Sequence, residues 1–316
     1  MNYRRMGNTG LKISEISLGS WVTFGDQVDN QVASDLIHQA YDAGVNFFDN
    51  ADAYANGQAE VVMGAAIRDL PRESLVLSSK VYWPTMEGPN GQGLSRKHIM
   101  ESVHASLKRL GTDYLDLYFC HRYDPETPLE EVVRAMDDLV HQGKVLYWGT
   151  SEWRASQIAH AYGIAAQWGL YAPSVEQPEY SMFVREKMEG ELVDAASDLG
   201  FGMLTWSPLR YGLLSGKYNQ GIPEGARLAR NAAWGEEELT PQRLHVVREL
   251  TKVAMELGVS MAQLAIGWLL RLPQITSVIT GASRLSHLKD NLKAPDVVEK
   301  LDDDVLEQID AILSTM

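Results

Sequence analysis

A single cysteine, Cys120, stands in 316 residues. That excludes an intrachain disulfide and a cysteine-rich zinc site, and it agrees with a reducing compartment. No apolar run approaches the ~20 residues a membrane-spanning helix needs, and the opening MNYRRMGNTGLKIS lacks the apolar core of a secretory signal. Dense Lys/Arg clusters are missing as well: 28 basic residues face 42 acidic ones, for a formal net charge of −14. Such a balance repels nucleic acid and anionic membrane surfaces. With no low-complexity run either, the expectation is a compact cytoplasmic protein with no nucleic-acid partner and no membrane insertion.

What is present is a hydrophobic content of 45%, ample for a large core, distributed in a regular alternation. Residues 3–13 read as two extended pieces around the NTG turn at Asn8–Gly10, a β-hairpin. Strand patterns follow over 15–21, 45–48, 74–80, 114–121, 144–151, 174–177, 201–208 and 277–281. Between and after them, helical spacing appears from Gln31 to Gly44 and over 58–70, 95–111, 128–143, 155–168, 185–200, 241–257, 261–270, 284–293 and 303–313. Several of these helices close on a glycine, as at Gly44, Gly111 and Gly143. Residues 211–239 break the rhythm, being Gly-rich, polar and irregular, and a loop of that length inside a domain is usually functional or mobile. Eight strands each followed by helix predict an α/β fold of the TIM-barrel type, a (β/α)8 barrel with extra C-terminal helices, in one domain over 1–316. A doubly wound open sheet would call for GxGxxG after its first strand, and SLGSWVTFGDQ (17–27) has none.

In a parallel barrel the chemistry sits at the carboxyl ends of the strands. Those ends carry Trp21, Asp49, Lys80, His121, Ser151 with Glu152, Gln177, Trp206 with Ser207, and Gly281 to Ser283. Tyr54 lies one loop-turn beyond Asp49, in NFFDNADAY (46–54). Taken singly, each has an ordinary structural explanation as a cap, a rim residue or a solvated end. Together on neighbouring strand ends they define one mouth.

The set suits proton donation. A tyrosine is a poor acid near neutral pH, with a reference pKa of about 10, and a neighbouring ammonium lowers that value by stabilising the phenolate. An aspartate holds the lysine charged, and a histidine across the site can hydrogen-bond the reacting oxygen. No nucleophile stands beside a base and no metal-ligand cluster is evident, so proton transfer to a developing alkoxide fits best. The hydride for such a reduction has to come from a cofactor. Trp206 or Tyr211 offers it a flat surface, Lys217 and Arg227 offer phosphate partners, and GASR (281–284) offers backbone N–H groups at a helix start.

These residues carry a resemblance to the aldo-keto reductases over essentially the whole chain, especially to the branch containing the voltage-gated potassium channel β subunits. The motifs are GSWVTFGDQ (19–27), NFFDNADAYANGQAEVVMG (46–64), GLSRKHIMESVHASLKRL (93–110), WGTSEW (148–153), TWSPLRYGLLSGKYNQGIP (205–223) and GASRLSHLKDN (281–291). The resemblance implies a barrel that reduces aldehydes and ketones with NADPH, no metal, and a catalytic tetrad of Tyr54 as general acid, Lys80 as modulator of its pKa, Asp49 as partner of Lys80, and His121 as the carbonyl-orienting group. It implies cofactor contacts from Ser20, Trp21, Gln27, Asp49, Ser151, Gln177, Trp206, Ser207, Pro208, Leu209, Gly212, Lys217, Arg227, Gly281, Ser283, His287 and Asn291.

Three departures from the branch stand out. His121 replaces the asparagine of the channel β subunits, which favours turnover. Glu152 replaces their arginine after Ser151, which removes one cofactor contact. His287 stands where many members have Arg or Gln near the 2′-phosphate, so a preference for NADPH over NADH rests on Lys217, Arg227, Ser283 and Arg284. The alternative function is a cofactor-binding regulatory subunit of a potassium channel, with slow or vestigial chemistry. The expected partner is a small carbonyl compound, apolar or aromatic, selected by Trp21, Tyr54, Tyr82, Trp83, His121, Arg122 and the 211–239 loop. The resemblance allows either a monomer or a homotetramer.

Overall fold

A computed structural model describes residues 1–316, the side chain of Ala232 excepted. Strands β1 (Tyr3–Arg5) and β2 (Lys12–Ser14) pair antiparallel as the expected hairpin. The next eight strands are β3 (Ile16–Gly19), β4 (Phe47–Asp49), β5 (Val76–Val81), β6 (Leu115–Cys120), β7 (Val145–Ser151), β8 (Val175–Gln177), β9 (Gly202–Thr205) and β10 (Ile275–Thr280). They run parallel in chain order, and β10 pairs with β3 to close the barrel. The eight-fold (β/α) barrel read from the alternation is the architecture found.

Around the barrel lie α1 (Asn30–Asp42), α2 (Gln58–Ala66), α3 (Arg96–Leu110), α4 (Leu129–His141), α5 (Ala155–Trp168) and α6 (Val193–Leu199). They are followed by α7 (Arg227–Arg230), α8 (Ala232–Glu238), α9 (Pro241–Glu256), α10 (Met261–Leu270), α11 (Leu285–Asn291) and α12 (Asp303–Leu313). Local chemistry sets the helix ends. Asp29, Ser95, Thr240, Ser260 and Asp302 each accept a hydrogen bond from the third residue on, and Gly111, Gly169 and Gly200 close helices in the left-handed conformation. In α4 the buried Leu129, Val132, Val133, Met136 and Leu139 form one stripe, the spacing that made it legible. No single helix among the described residues is long and apolar enough to cross a membrane.

Two elements differ from expectation. The helix read over 185–200 contains a π-helical stretch, Met188–Leu192, before it continues as α6. Within 211–239, read as irregular, the chain forms α7 and α8 after a 3₁₀ turn at Arg210–Ser215. Helices of four and seven residues are too short for a helical period to show in sequence. Arg210 pins the segment: it pairs with Glu179 beyond β8 and, at 2.6 Å, with the buried Glu238, which also takes Arg243 at 2.7 Å.

Strand alternation sorts the side chains into two cores. Phe47, Val76, Leu117, Phe119, Val175, Leu204 and Ile279 pack inside the barrel against Met6 and Ile13 of the hairpin region, which plug the end where the strands begin. Their neighbours Phe48, Leu77, Tyr118 and Met203 point outward into the helix layer. With a period of two, each inward row continues to a strand end. Phe47 leads to Asp49, Val76 to Ser78 and Lys80, Phe119 to His121, and Val175 to Gln177. Gly149 leaves room in this interior, since a Cβ there would come within 2.4 Å of the Val175 side chain. The apolar plug below and the polar cluster above are two ends of the same rows.

Candidate active site

Lys80 is fully buried at the end of its inward row, and its Nζ donates to Asp49 Oδ2 at 2.6 Å, to the Asn50 carbonyl at 2.7 Å and to Tyr54 Oη at 3.3 Å. All three ammonium donors are therefore engaged. Asp49 is held from its other oxygen, Oδ1, which accepts from Ser78 Oγ at 2.7 Å and Gln177 Nε2 at 3.0 Å. Ser78 was missed in the sequence, although its position two residues before Lys80 places it on the same strand face. Tyr54 is presented by a tight turn in which Ala55, Asn56 and Gly57 take φ of 48°, 54° and 84°. A left-handed alanine costs about 1–2 kcal/mol, a local strain of the kind that clusters at functional sites. The His121 ring lies edge-on to Tyr54, with centroids 5.7 Å apart.

Tyr54, Lys80 and His121 do not titrate as free side chains. Burial, then the charge of Asp49, holds the Tyr54 phenol well above its ordinary value, against Arg122, which pulls it down. This corrects the expectation of a net lowering, because desolvation of the phenolate and the adjacent carboxylate prevail. Burial also lowers Lys80, opposed by its ion pair with Asp49. His121 is pushed well below its usual range by burial and by the cations Lys80 and Arg122, so its imidazole is neutral.

Tyr54, Asp49 and His121 open on a cleft of about 980 Å³. Of the predicted cofactor residues, Trp21, Gln27, Asp49, Ser151, Gln177, Trp206, Ser207, Pro208, Leu209, Gly212, Lys217, Arg227, Gly281, Ser283, His287 and Asn291 all line it. Ser20 does not: it is fully buried behind Gly19, with its Oγ unpartnered. Lys80 lies beneath the wall, and Tyr82 stands back from it, edge-on to Trp83. The wall also includes Thr23, Val28, Arg230 and Ala262, which strand-end reasoning could not reach because they come from a loop and from helices α7 and α10.

One side of the cleft gathers cations. Burial and the charges of Arg227 and Arg284 push the Lys217 ammonium down, and His287 is lowered by burial, Lys217 and Arg284. Lys217, Arg227 and Arg284 form no ion pair among the described residues, and Arg227 keeps Nε and Nη2 buried and unbonded. The Arg227 guanidinium lies 4.8 Å from the Trp21 ring centre and 5.0 Å from that of Tyr211, which stacks on Trp234 at 4.9 Å. Clustered like charges without counter-ions, with Arg227 nitrogens buried and unbonded, fit a polyphosphate ligand. Asn291, with a buried and unpartnered Nδ2, fits one too.

Glu152, just past the end of β7, braces the cleft wall. In a left-handed conformation (φ 61°) its carboxylate accepts from Trp206 Nε1 at 2.9 Å and from Lys187 Nζ at 3.0 Å, fixing the indole at the cleft wall. Beneath it the fully buried Glu176 accepts from Thr150 Oγ1 and from the Trp153 amide. Burial pushes this carboxyl up from 4.5 to about 8. An acid whose folded pKa is raised loses stability as pH climbs from the unfolded value to the folded one, here between about 4.5 and about 8. Glu176→Gln is therefore expected to raise Tm at pH 8 and leave it nearly unchanged at pH 4.5, a gap on the order of a few kcal/mol. Thermal melts at the two pH values read it, and an equal shift at both would contradict the cause.

This chain belongs to the Aldo/keto reductase family, whose sequence profile matches residues 15–314. Members of that family generally bind NAD(P)H. Among curated proteins the chain is 48% identical to a "Probable voltage-gated potassium channel subunit beta" of Arabidopsis thaliana and 48% identical to a protein of the same description from Oryza sativa subsp. japonica. Each alignment covers 100% of this chain and 97% of the relative. A "Putative voltage-gated potassium channel subunit beta" of Schizosaccharomyces pombe is 43% identical over 99% of this chain and 93% of its own length.

Proposed function

We propose that the chain reduces aldehydes and ketones to alcohols with NADPH, and that Tyr54 is the general acid. The observation that carries this reading is the Tyr54 hydroxyl at the cleft, hydrogen-bonded by a buried Lys80 that Asp49 fixes in place. A bound nicotinamide supplies the hydride that reduces the carbonyl carbon. Tyr54 Oη gives its proton to the carbonyl oxygen, and the neutral His121 ring orients that oxygen through an N–H donor. Burial that raises the Tyr54 pKa keeps the acid protonated at neutral pH. The proton goes to an oxygen that becomes strongly basic as the hydride arrives, which is where a positioned acid contributes most. Lys80 stabilises the phenolate left behind, and Asp49 moves no proton itself.

Trp206 would hold the nicotinamide ring, Lys217, Arg227 and Arg284 the phosphates, and Ser283, His287 and Asn291 the adenosine end. Ser20 is left out of this set. The unpaired cations support NADPH over NADH, and the continuous barrel over 1–316 supports one domain. Arg227→Ala is expected to weaken NADPH binding about 10-fold or more, since hydrogen bonds to charged groups contribute about 1.5–3 kcal/mol. Tryptophan fluorescence titration measures it, and an unchanged affinity would remove Arg227 from the phosphate site.

The relatives' descriptions favour a second reading, a cofactor-loaded channel subunit. Purified protein given NADPH and an aromatic aldehyde separates the two. Accumulation of the alcohol supports the reductase, whereas cofactor binding without product, with a channel co-purifying from the source cell, supports the subunit.

A further inference from the structure

Beside the proton donor lies a cation that neither the tetrad nor the phosphate side uses. Arg122 follows His121 directly and lines the cleft. Its guanidinium makes one hydrogen bond, from Nη1 to the His121 carbonyl, and no ion pair among the described residues. The nearest acid in sequence, Asp124, is occupied by the Leu94 and Glu126 amides and the Thr127 hydroxyl. Asp49, the acid at the reacting end of the cleft, is saturated by Lys80, Ser78 and Gln177. Arg122 therefore keeps donors free.

A flat surface connects it to the reacting group. The guanidinium carbon sits 5.5 Å from the centre of the Trp83 ring, which is 41% exposed. That ring stands 6.3 Å from His121, and His121 stands 5.7 Å from Tyr54. A molecule whose carbonyl oxygen meets Tyr54 and His121 has the Trp83 ring and the free Arg122 donors beside it on the same wall.

Resting on the reductase reading, we propose that the preferred substrates are carbonyl compounds that carry a carboxylate across an aromatic or short apolar spacer. Arg122 binds the carboxylate and Trp83 packs on the spacer. A planar guanidinium pairs with a carboxylate through two parallel hydrogen bonds, which fixes orientation as well as charge. The requirement for such a local cation is sharp in a chain of net charge −14, whose field at long range repels anions.

The test compares 4-formylbenzoate with its neutral methyl ester as substrates, with NADPH present. In the wild-type protein kcat/KM should favour the acid at least ~10-fold. In Arg122→Gln that ratio should fall toward one, through KM for the acid, while Arg122→Lys should retain part of it. Benzoate titrated calorimetrically into protein holding oxidised cofactor should bind the wild type and lose ~10-fold or more affinity in Arg122→Gln. Equal reduction of acid and ester by the wild type overturns this proposal and leaves the reductase reading standing. So does a preference for the acid, or benzoate binding, that survives Arg122→Gln. Reduction of neither compound, nor of any other aldehyde, removes the reductase reading and this one with it.

Discussion

Tyr54→Phe is expected to lower kcat for carbonyl reduction by ~10³-fold or more, while NADPH still binds with wild-type affinity. General acid catalysis contributes about 10²–10⁴-fold, and this cleft presents no second hydroxyl on Lys80 to take the role. The substitution keeps the ring that packs edge-on to His121 and deletes only the oxygen that accepts from Lys80 Nζ. The fold is therefore retained, and the loss falls on the chemical step. Steady-state kinetics with a fluorescence titration of cofactor separates the two parameters. Retained turnover would remove Tyr54 from the chemistry, and lost cofactor binding would show that the side chain shapes the cleft instead.

The second large effect concerns Lys80. In Lys80→Met the Asp49 carboxylate stays buried with Ser78 and Gln177 but without its counter-ion. Orphaning one member of a buried ion pair costs about 3–5 kcal/mol, and the phenolate formed at Tyr54 loses its ammonium. Turnover should fall ~10²–10⁴-fold, together with a marked drop in the denaturant midpoint. Asp49→Asn combined with Lys80→Met should recover part of the stability, since no unpaired charge remains, and recover none of the activity. A double variant as unstable as Lys80→Met alone would show that packing, not charge, sets the cost.

Much of this site was legible because strand ends are readable in a parallel barrel. Asp49, Lys80, His121 and Gln177 each stand at or beside the end of a strand, and the closed sheet brings those ends to one mouth. Ser78 was within reach of the same alternation. Other features depend on contacts between distant segments. Nothing near Glu152 announces that its carboxylate will hold Trp206, 54 residues on. The aromatic set of Trp21, Tyr211 and Trp234 around Arg227 needs the 3₁₀ turn and two short helices to be in place first. The direction of the Tyr54 shift was also out of reach, because it turns on how deeply the phenol is buried.

The central claim is that hydride passes from a nicotinamide to a carbonyl carbon in this cleft while Tyr54 supplies the proton. The most direct measurement uses NADPH deuterated at the transferable nicotinamide position, an aromatic aldehyde and mass analysis of the product. The wild-type protein should give an alcohol carrying one deuterium on its carbinol carbon, and Tyr54→Phe almost none of it. Unlabelled alcohol, or deuterated NADPH that stays bound and unoxidised in the presence of aldehyde, would contradict that claim.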